Sequence, residues 1–254
     1  MRPKSASVLA LVLTVACGAA ALLVRPIAQP LSYHEFADRR AWLGMPNFAD
    51  VASNLPFVFV GLAGLWALRP NGRGVFVNRA ERWPFVLFFL AVALIGFGSS
   101  YYHWAPDNAR LVWDRLPIGV ALMGLVCTLI AERVSLRLGL ALTAPATLVG
   151  LASVWYWHWS AAHATENLTP YLILQGYSAA MVLVLATLFP PRYTRGRMLL
   201  GVAGWYLLGK LCELGDGVIY AVGGLLSGHT LKHLFSAVAV YWVLRMLVER
   251  RPQV

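Results

Sequence analysis

Residues 83–103 read WPFVLFFLAVALIGFGSSYYH, and no charged side chain occurs between Arg82 and Asp107. About 20 consecutive apolar residues, wound as an α-helix rising about 1.5 Å per residue, cross the ~30 Å hydrocarbon layer of a bilayer. A membrane strand needs only about 10 residues and alternates polar with apolar positions. This run is longer than that and its apolar residues are contiguous, so it reads as a transmembrane helix. Its last turns carry Ser99 and His103, and the breaker Pro106-Asp107-Asn108 follows.

Outward from this helix, apolar runs of similar length recur at 7–24, 50–69, 115–132, 138–157, 168–189, 197–220 and 229–248. The composition agrees: 59% of residues are hydrophobic and 13% charged, where soluble domains carry about a quarter charged residues. Mean hydropathy is +0.64. In lipid every backbone polar group needs an internal partner, which leaves helices or a closed barrel, and the run lengths select helices. The expectation is an all-α integral membrane protein: a seven-helix domain over 31–254 and an additional N-terminal transmembrane helix over 1–30. Loops are short and hold the breakers Pro70-Asn71-Gly72 and Pro190-Pro191. No internal repeat or low-complexity linker interrupts them. Arg2 and Lys4 before the first run give it the form of a signal peptide, but its length and the membrane character of the remaining chain favour a retained helix.

The net charge of +10 comes almost wholly from arginine. A high isoelectric point can mark nucleic-acid binding; here the arginines lie between apolar runs and form no basic face, so nucleic acid is not an expected partner. Counted by side, one set holds Arg2, Lys4, Arg69, Arg73, Arg79, Arg82, Arg133, Arg137, Arg192, Arg195, Arg197, Arg245, Arg250 and Arg251. The other holds only Arg25, Arg39, Arg40, Arg110 and Arg115. This asymmetry predicts both termini in the cytoplasm. Short, Arg-rich loops suggest a bacterial inner membrane. Cys17, Cys127 and Cys212 lie inside apolar runs without a CxxC pair and read as buried thiols.

Ionisable side chains inside a bilayer are costly, so each is a candidate for function. His229 and His233 are four residues apart and share a helix face, and His103 falls at the same, outer end of the bundle. Three neutral imidazoles with one open position form a catalytic zinc pattern. Ser99 stands one turn before His103, and Asp114, at the start of the next helix, returns to that depth. A carboxylate there can orient a histidine or take a proton from water. Asp114 also admits a helix-cap role or a pair with Arg110 or Arg115, and Ser99 admits back-bonding to a helix carbonyl. Lys210, Glu213 and Asp216 recur every three residues and are expected on one face, either orienting His229 or His233 or forming a buried ion pair. Lys232 is expected to turn partly away from the two histidines beside it. His158 and His163 sit among Trp155, Trp157 and Trp159 as part of an interfacial aromatic belt, and His34 is not expected to bind metal.

The pattern Gly98-Ser99-Ser100-Tyr101-Tyr102-His103, then Asp114-Arg115-Leu116-Pro117, then Gly228-His229-Thr230-Leu231-Lys232-His233 resembles the alkaline ceramidase family. That family stands in a superfamily with the progestin and adipoQ receptors. Asp50-Val51-Ala52-Ser53-Asn54-Leu55-Pro56-Phe57 is similar to the family's opening Ser-Asn-Leu segment. The resemblance covers residues 33–249. It implies a seven-helix fold in which His103, His229 and His233 hold Zn2+. Asp114 would accept a hydrogen bond or proton from the water at the metal, and Ser99 would bond that water or the developing oxyanion. The implied reaction is hydrolysis of a lipid amide, ceramide or another N-acyl lipid, to a fatty acid and an amine.

Animal members also carry an acidic cluster that binds Ca2+. The matching region here is Tyr33-His34-Glu35-Phe36-Ala37-Asp38, and the family's acidic position seven before Asn54 is Asn47. Glu35, Asp38 and Asp50 are the remaining oxygen donors for such a site; pairing with Arg39 and Arg40 is the stronger expectation. Two other function classes stay open: a receptor that keeps the metal for structure, and a transporter using Lys210, Glu213 and Asp216 as an ion path.

Overall fold

The computed structural model describes residues 3–253, so the sequence expectation placed on Arg2 lies outside the described residues, as does the side chain of Lys4. The chain forms helices α1 (Pro3–Leu23), α2 (Phe48–Ala52), α3 (Leu55–Ala67), α4 (Arg82–Trp104), α5 (Asn108–Arg133), α6 (Leu136–Ala162), α7 (Thr169–Leu188), α8 (Met198–Leu214), α9 (Asp216–Gly223) and α10 (Gly228–Glu249). No strand occurs among the described residues; two isolated bridges join loops. Among the described residues, seven helical spans are long and apolar enough to cross a membrane, and α8 with α9 makes an eighth if the bent pair is one span. The protein is therefore an all-α, multi-pass membrane protein. Leu22, Phe59, Trp66, Phe97 and Leu148 point outward and exposed, as side chains facing lipid do.

The expected straight helix over 197–220 is not found. The chain breaks at Gly215 and α9 leaves α8 at 79°. Asp216 starts the new direction because its carboxylate is held from two sides: Oδ1 accepts from the backbone N–H of His229 (2.7 Å) and Oδ2 from that of Ala37 (2.9 Å). The span beginning near residue 50 is also broken, at Ser53-Asn54 between α2 and α3.

The most buried span is α5, which packs between α4 and α6. Lipid offers no hydrophobic drive between helices, so close packing rests on small residues at the contacts. Gly98 is one: a Cβ there would lie 2.1 Å from the carbonyl oxygen of Trp113. By contrast α1 packs mainly on α7. Its exit is tied to the start of α7 by Leu168 N–H donating to Ile27 O (2.8 Å) and Ile27 N–H donating to Thr169 Oγ1 (3.1 Å).

The bundle has two different ends. The C-terminus of α4 and the N-termini of α5 and α10 meet at one. At the other, Glu132 pairs with Arg250, and Glu81 accepts from Arg192 and Tyr193. Arg250, counted in the sequence as a loop charge, is fully buried, with Nε and Nη2 donating to Val75 O and the guanidinium 3.9 Å over the Tyr193 ring.

Candidate metal centre

The helix ends bring His103 from α4 together with His229 and His233 from α10. Ring centroids are 4.8 Å apart for His103–His229 and His103–His233 and 4.9 Å for His229–His233. One nitrogen of each ring lies within 4.8 Å of the others, and all three side chains are buried. Neutral imidazole suits zinc, copper, iron and nickel.

Each ring is fixed differently. The Ser53 hydroxyl donates to Asp50 O (3.1 Å), so it accepts from Nδ1–H of His233 (2.8 Å) and leaves Nε2 as a free acceptor. This is the hydrogen-bonding pattern that orients metal-ligating histidines. Nδ1 of His103 is buried without a hydrogen-bond partner, a costly state unless an electron-pair acceptor sits against it. Nε2 of His229 accepts from Lys232 Nζ (2.9 Å), so a metal at that atom requires Lys232 to turn to its second partner. That partner is Glu213, whose Oε1 lies 2.9 Å from Lys232 Nζ. Phe36 closes the cluster, with its ring centroid 4.6 Å from those of both His103 and His229.

Asp114 is not the helix start that the sequence suggested. Helix α5 begins six residues earlier and is capped by Asp107, whose Oδ1 accepts from Arg110 N–H (2.7 Å). Arg110 also pairs with Asp107 (2.5 Å). Arg115 is buried in a cage of Trp157, Tyr171 and Tyr33, at 4.4, 5.3 and 5.4 Å from the ring centroids, and donates to Gln29. With both arginines and the cap engaged elsewhere, the buried carboxyl of Asp114 faces the hydroxyl of Ser99.

Lys210, Glu213 and Asp216 do not share one face, because the chain turns between Glu213 and Asp216. Glu213 lies between two ammonium groups, Lys210 at 2.8 Å and Lys232 at 2.9 Å, and accepts from Tyr33 (3.2 Å). Asp216 holds the first turn of α10. Lys232, expected to point away, touches His229 directly.

The oxygen donors named for calcium do not gather into a metal-capable group among the described residues. Asp38 is bonded through both oxygens to Arg40 (2.9 and 2.8 Å), and this guanidinium holds its carboxyl below the usual carboxylate range. Asp50 accepts from Thr230 Oγ1 (2.6 Å), while Glu35 is exposed. Among the described residues, the group of three or more metal-capable side chains is the histidine cluster. Asn47, at the family's acidic position, instead donates through Nδ2 to His103 O (2.8 Å) and anchors the end of α4. His34 is engaged by Tyr102 (2.9 Å) and Asn108 (3.0 Å).

Ser53, Lys232 and Phe36 are the site residues that sequence reading missed as such. Ser53 stood inside the quoted Ser-Asn-Leu segment, but its partner is 180 residues away and no local spacing reveals it. Compared with known protein families and with curated proteins, the chain has no match in sequence.

Proposed function

We propose that the chain is a zinc-dependent membrane hydrolase that cleaves the amide bond of ceramide or a related N-acyl lipid to a fatty acid and an amine. The observation that carries this is the convergence, at one end of the bundle, of three buried imidazoles with the facing pair Ser99 and Asp114. The motif spacing shared with alkaline ceramidases supports the same chemistry.

His103, His229 and His233 would hold the ion. Zinc, when bound, supplies a Lewis acid that polarises the scissile carbonyl and acidifies the attacking water. Asp114 accepts the proton of that water at a carboxylate oxygen and returns it to the leaving nitrogen, so that hydroxide joins the acyl carbon and hydrogen the amine. The Ser99 hydroxyl would give its single hydrogen bond to that water or to the developing oxyanion. Phe36 excludes bulk water from the imidazoles, and Glu213 keeps the charge of Lys232 compensated beside them. We place the Arg-rich end and both termini in the cytoplasm of a bacterial inner membrane, with the site toward the outer face.

Metal analysis by mass spectrometry tests the centre: about one zinc per chain is expected in the purified protein, lost in a His229→Ala, His233→Ala double variant that still folds. Asp114→Asn should retain the metal and lose hydrolysis of N-acyl lipids by about 100-fold or more. A receptor that keeps the metal for structure would instead tolerate Asp114→Asn. Wild-type protein without bound zinc would overturn the proposal.

A further inference from the structure

Arg115 is a buried cation without a counter-ion, and it stands next in the chain to Asp114. It is 5% exposed, with its guanidinium among the rings of Trp157, Tyr171 and Tyr33. Nη2 donates to the neutral side-chain oxygen of Gln29, itself buried, and Nη1 is buried with no hydrogen-bond partner. No acid pairs with Arg115 among the described residues. The carboxylates around it are engaged elsewhere. Glu213 holds Lys210, Lys232 and Tyr33, Glu166 accepts from Trp157 Nε1 (3.0 Å), and Asp114 faces Ser99. A buried charge left alone is costly, and cation–π contacts return only part of that cost.

This cation adjoins the metal centre. The Tyr33 ring that covers the guanidinium (5.4 Å) carries the hydroxyl that donates to Glu213 Oε1 (3.2 Å), and the same oxygen pairs with Lys232 beside His229. In the proposed reaction Asp114 returns a proton to the leaving nitrogen, so the amine half of the substrate departs on the Asp114 side, where Arg115 is the next residue. Gln29 belongs to the non-helical segment between α1 and the turn at Leu31–His34, so its side chain can yield the Nη2 position to a stronger acceptor. A guanidinium presents a planar fork that matches two oxygens of a carboxylate or phosphate. The amide oxygen of Gln29 now occupies one arm of that fork, and the other arm is unused.

We infer that Arg115 binds an anionic group on the amine half of the substrate, so that the N-acyl lipid cleaved here carries a carboxylate or phosphate near its amide. The substrate assignment rests on the hydrolase reading; the anion site itself stands on Arg115, Gln29 and the aromatic cage.

The test measures binding by isothermal titration on the full chain in a neutral detergent, with Asp114→Asn present so that no ligand is consumed. The probes are N-palmitoylglycine, which has a carboxylate, N-palmitoyl phosphoethanolamine, which has a phosphate, and neutral N-palmitoylethanolamine. At least one acidic probe should bind about tenfold or more tighter than the neutral one, and the tighter of the two identifies the acid. Gln29→Glu in the same background sets a carboxylate on the guanidinium from within the chain at nearly constant volume, and should bring that ratio close to one. Arg115→Met should do the same, while Arg115→Lys keeps the charge without the fork and should retain part of the preference. Equal binding of acidic and neutral probes, or an undiminished preference in Gln29→Glu protein that melts as its parent does, would overturn the inference. Turnover by the chain with Asp114 intact separates it from the reaction. Hydrolysis of the neutral probe with no acidic preference would remove the anion site and leave the hydrolase. Acidic preference in binding without turnover of any probe would remove the hydrolase, and with it the substrate assignment, and leave Arg115 as an anion site.

Discussion

At the residue scale, the candidate metal centre depends on two side chains that touch its histidines without belonging to the motif. Ser53 fixes the tautomer of His233 from the turn between α2 and α3, distant in sequence. Its removal in Ser53→Ala leaves Nδ1–H unpaired and the ring free to rotate, so metal affinity should fall about 10–100-fold while the helical content stays that of wild type. Chelator competition measures this, and unchanged affinity would show that Ser53 does not orient the ring. Lys232 acts in the opposite sense. Its ammonium occupies the Nε2 lone pair of His229 and adds a like charge beside the place of a cation. Lys232→Met should therefore tighten metal binding several-fold in the same competition assay, with Glu213 still paired to Lys210. Weaker binding in that variant would mean that Lys232 serves to orient His229.

At the scale of elements, two breaks in otherwise apolar spans build the site. The break after α2 turns Ser53 toward α10, and the bend at Gly215 sends Asp216 back to the first turn of α10. Asp216 thus joins three segments: the 31–38 loop, the α8–α9 corner and the helix bearing His229 and His233. Asp216→Ala removes two hydrogen bonds to a charged acceptor, an expected loss of about 1.5–3 kcal/mol for each. Detergent-solubilised protein should unfold at a distinctly lower temperature and lose metal, and Asp216→Asn should recover part of both. A melting temperature equal to wild type in Asp216→Ala would refute the role given to the bend. Gly98 does the matching work between α4 and α5. Only a residue without Cβ lets these helices approach at Trp113, one position from where Ser99 faces Asp114.

For the molecule as a whole, the histidine cluster lies at one end and a clasp at the other. The clasp ties α5 to the end of α10 through Glu132 and Arg250, whose side chains are 5% and 0% exposed. Cutting one partner leaves a buried charge alone, so Arg250→Met should destabilise the bundle by about 3–5 kcal/mol. The double variant Glu132→Leu, Arg250→Met should recover most of that loss, because two apolar residues leave no orphan charge. Denaturation curves of the two variants decide it; equal stability of the single and double variants would show that the buried charge is not the cause. The chain after α10 adds to the clasp: Thr194 N–H donates to Arg251 O (2.9 Å) and Gln253 N–H to Arg192 O (2.9 Å).

By itself the sequence determined that this chain is a bundle of membrane-crossing helices, because span length and missing charge are one-dimensional properties that lipid reads directly. It also brought out His103, His229 and His233, since ionisable groups stand out against apolar runs and His229 and His233 lie on one turn of helix. Only the tertiary structure decided the rest. A straight helix over 197–220 was the natural reading of hydropathy, which is blind to a bend made by a carboxylate whose two N–H donors come from other segments. Asp114 looked like a helix start because the apolar run begins at 115, whereas α5, capped by Asp107, already begins at Asn108 in a polar stretch, and Lys232 was set aside because helical spacing ignores how far a four-carbon side chain reaches. The contacts of Ser53 and Phe36 join segments far apart in the chain, and such contacts leave no periodic trace in sequence.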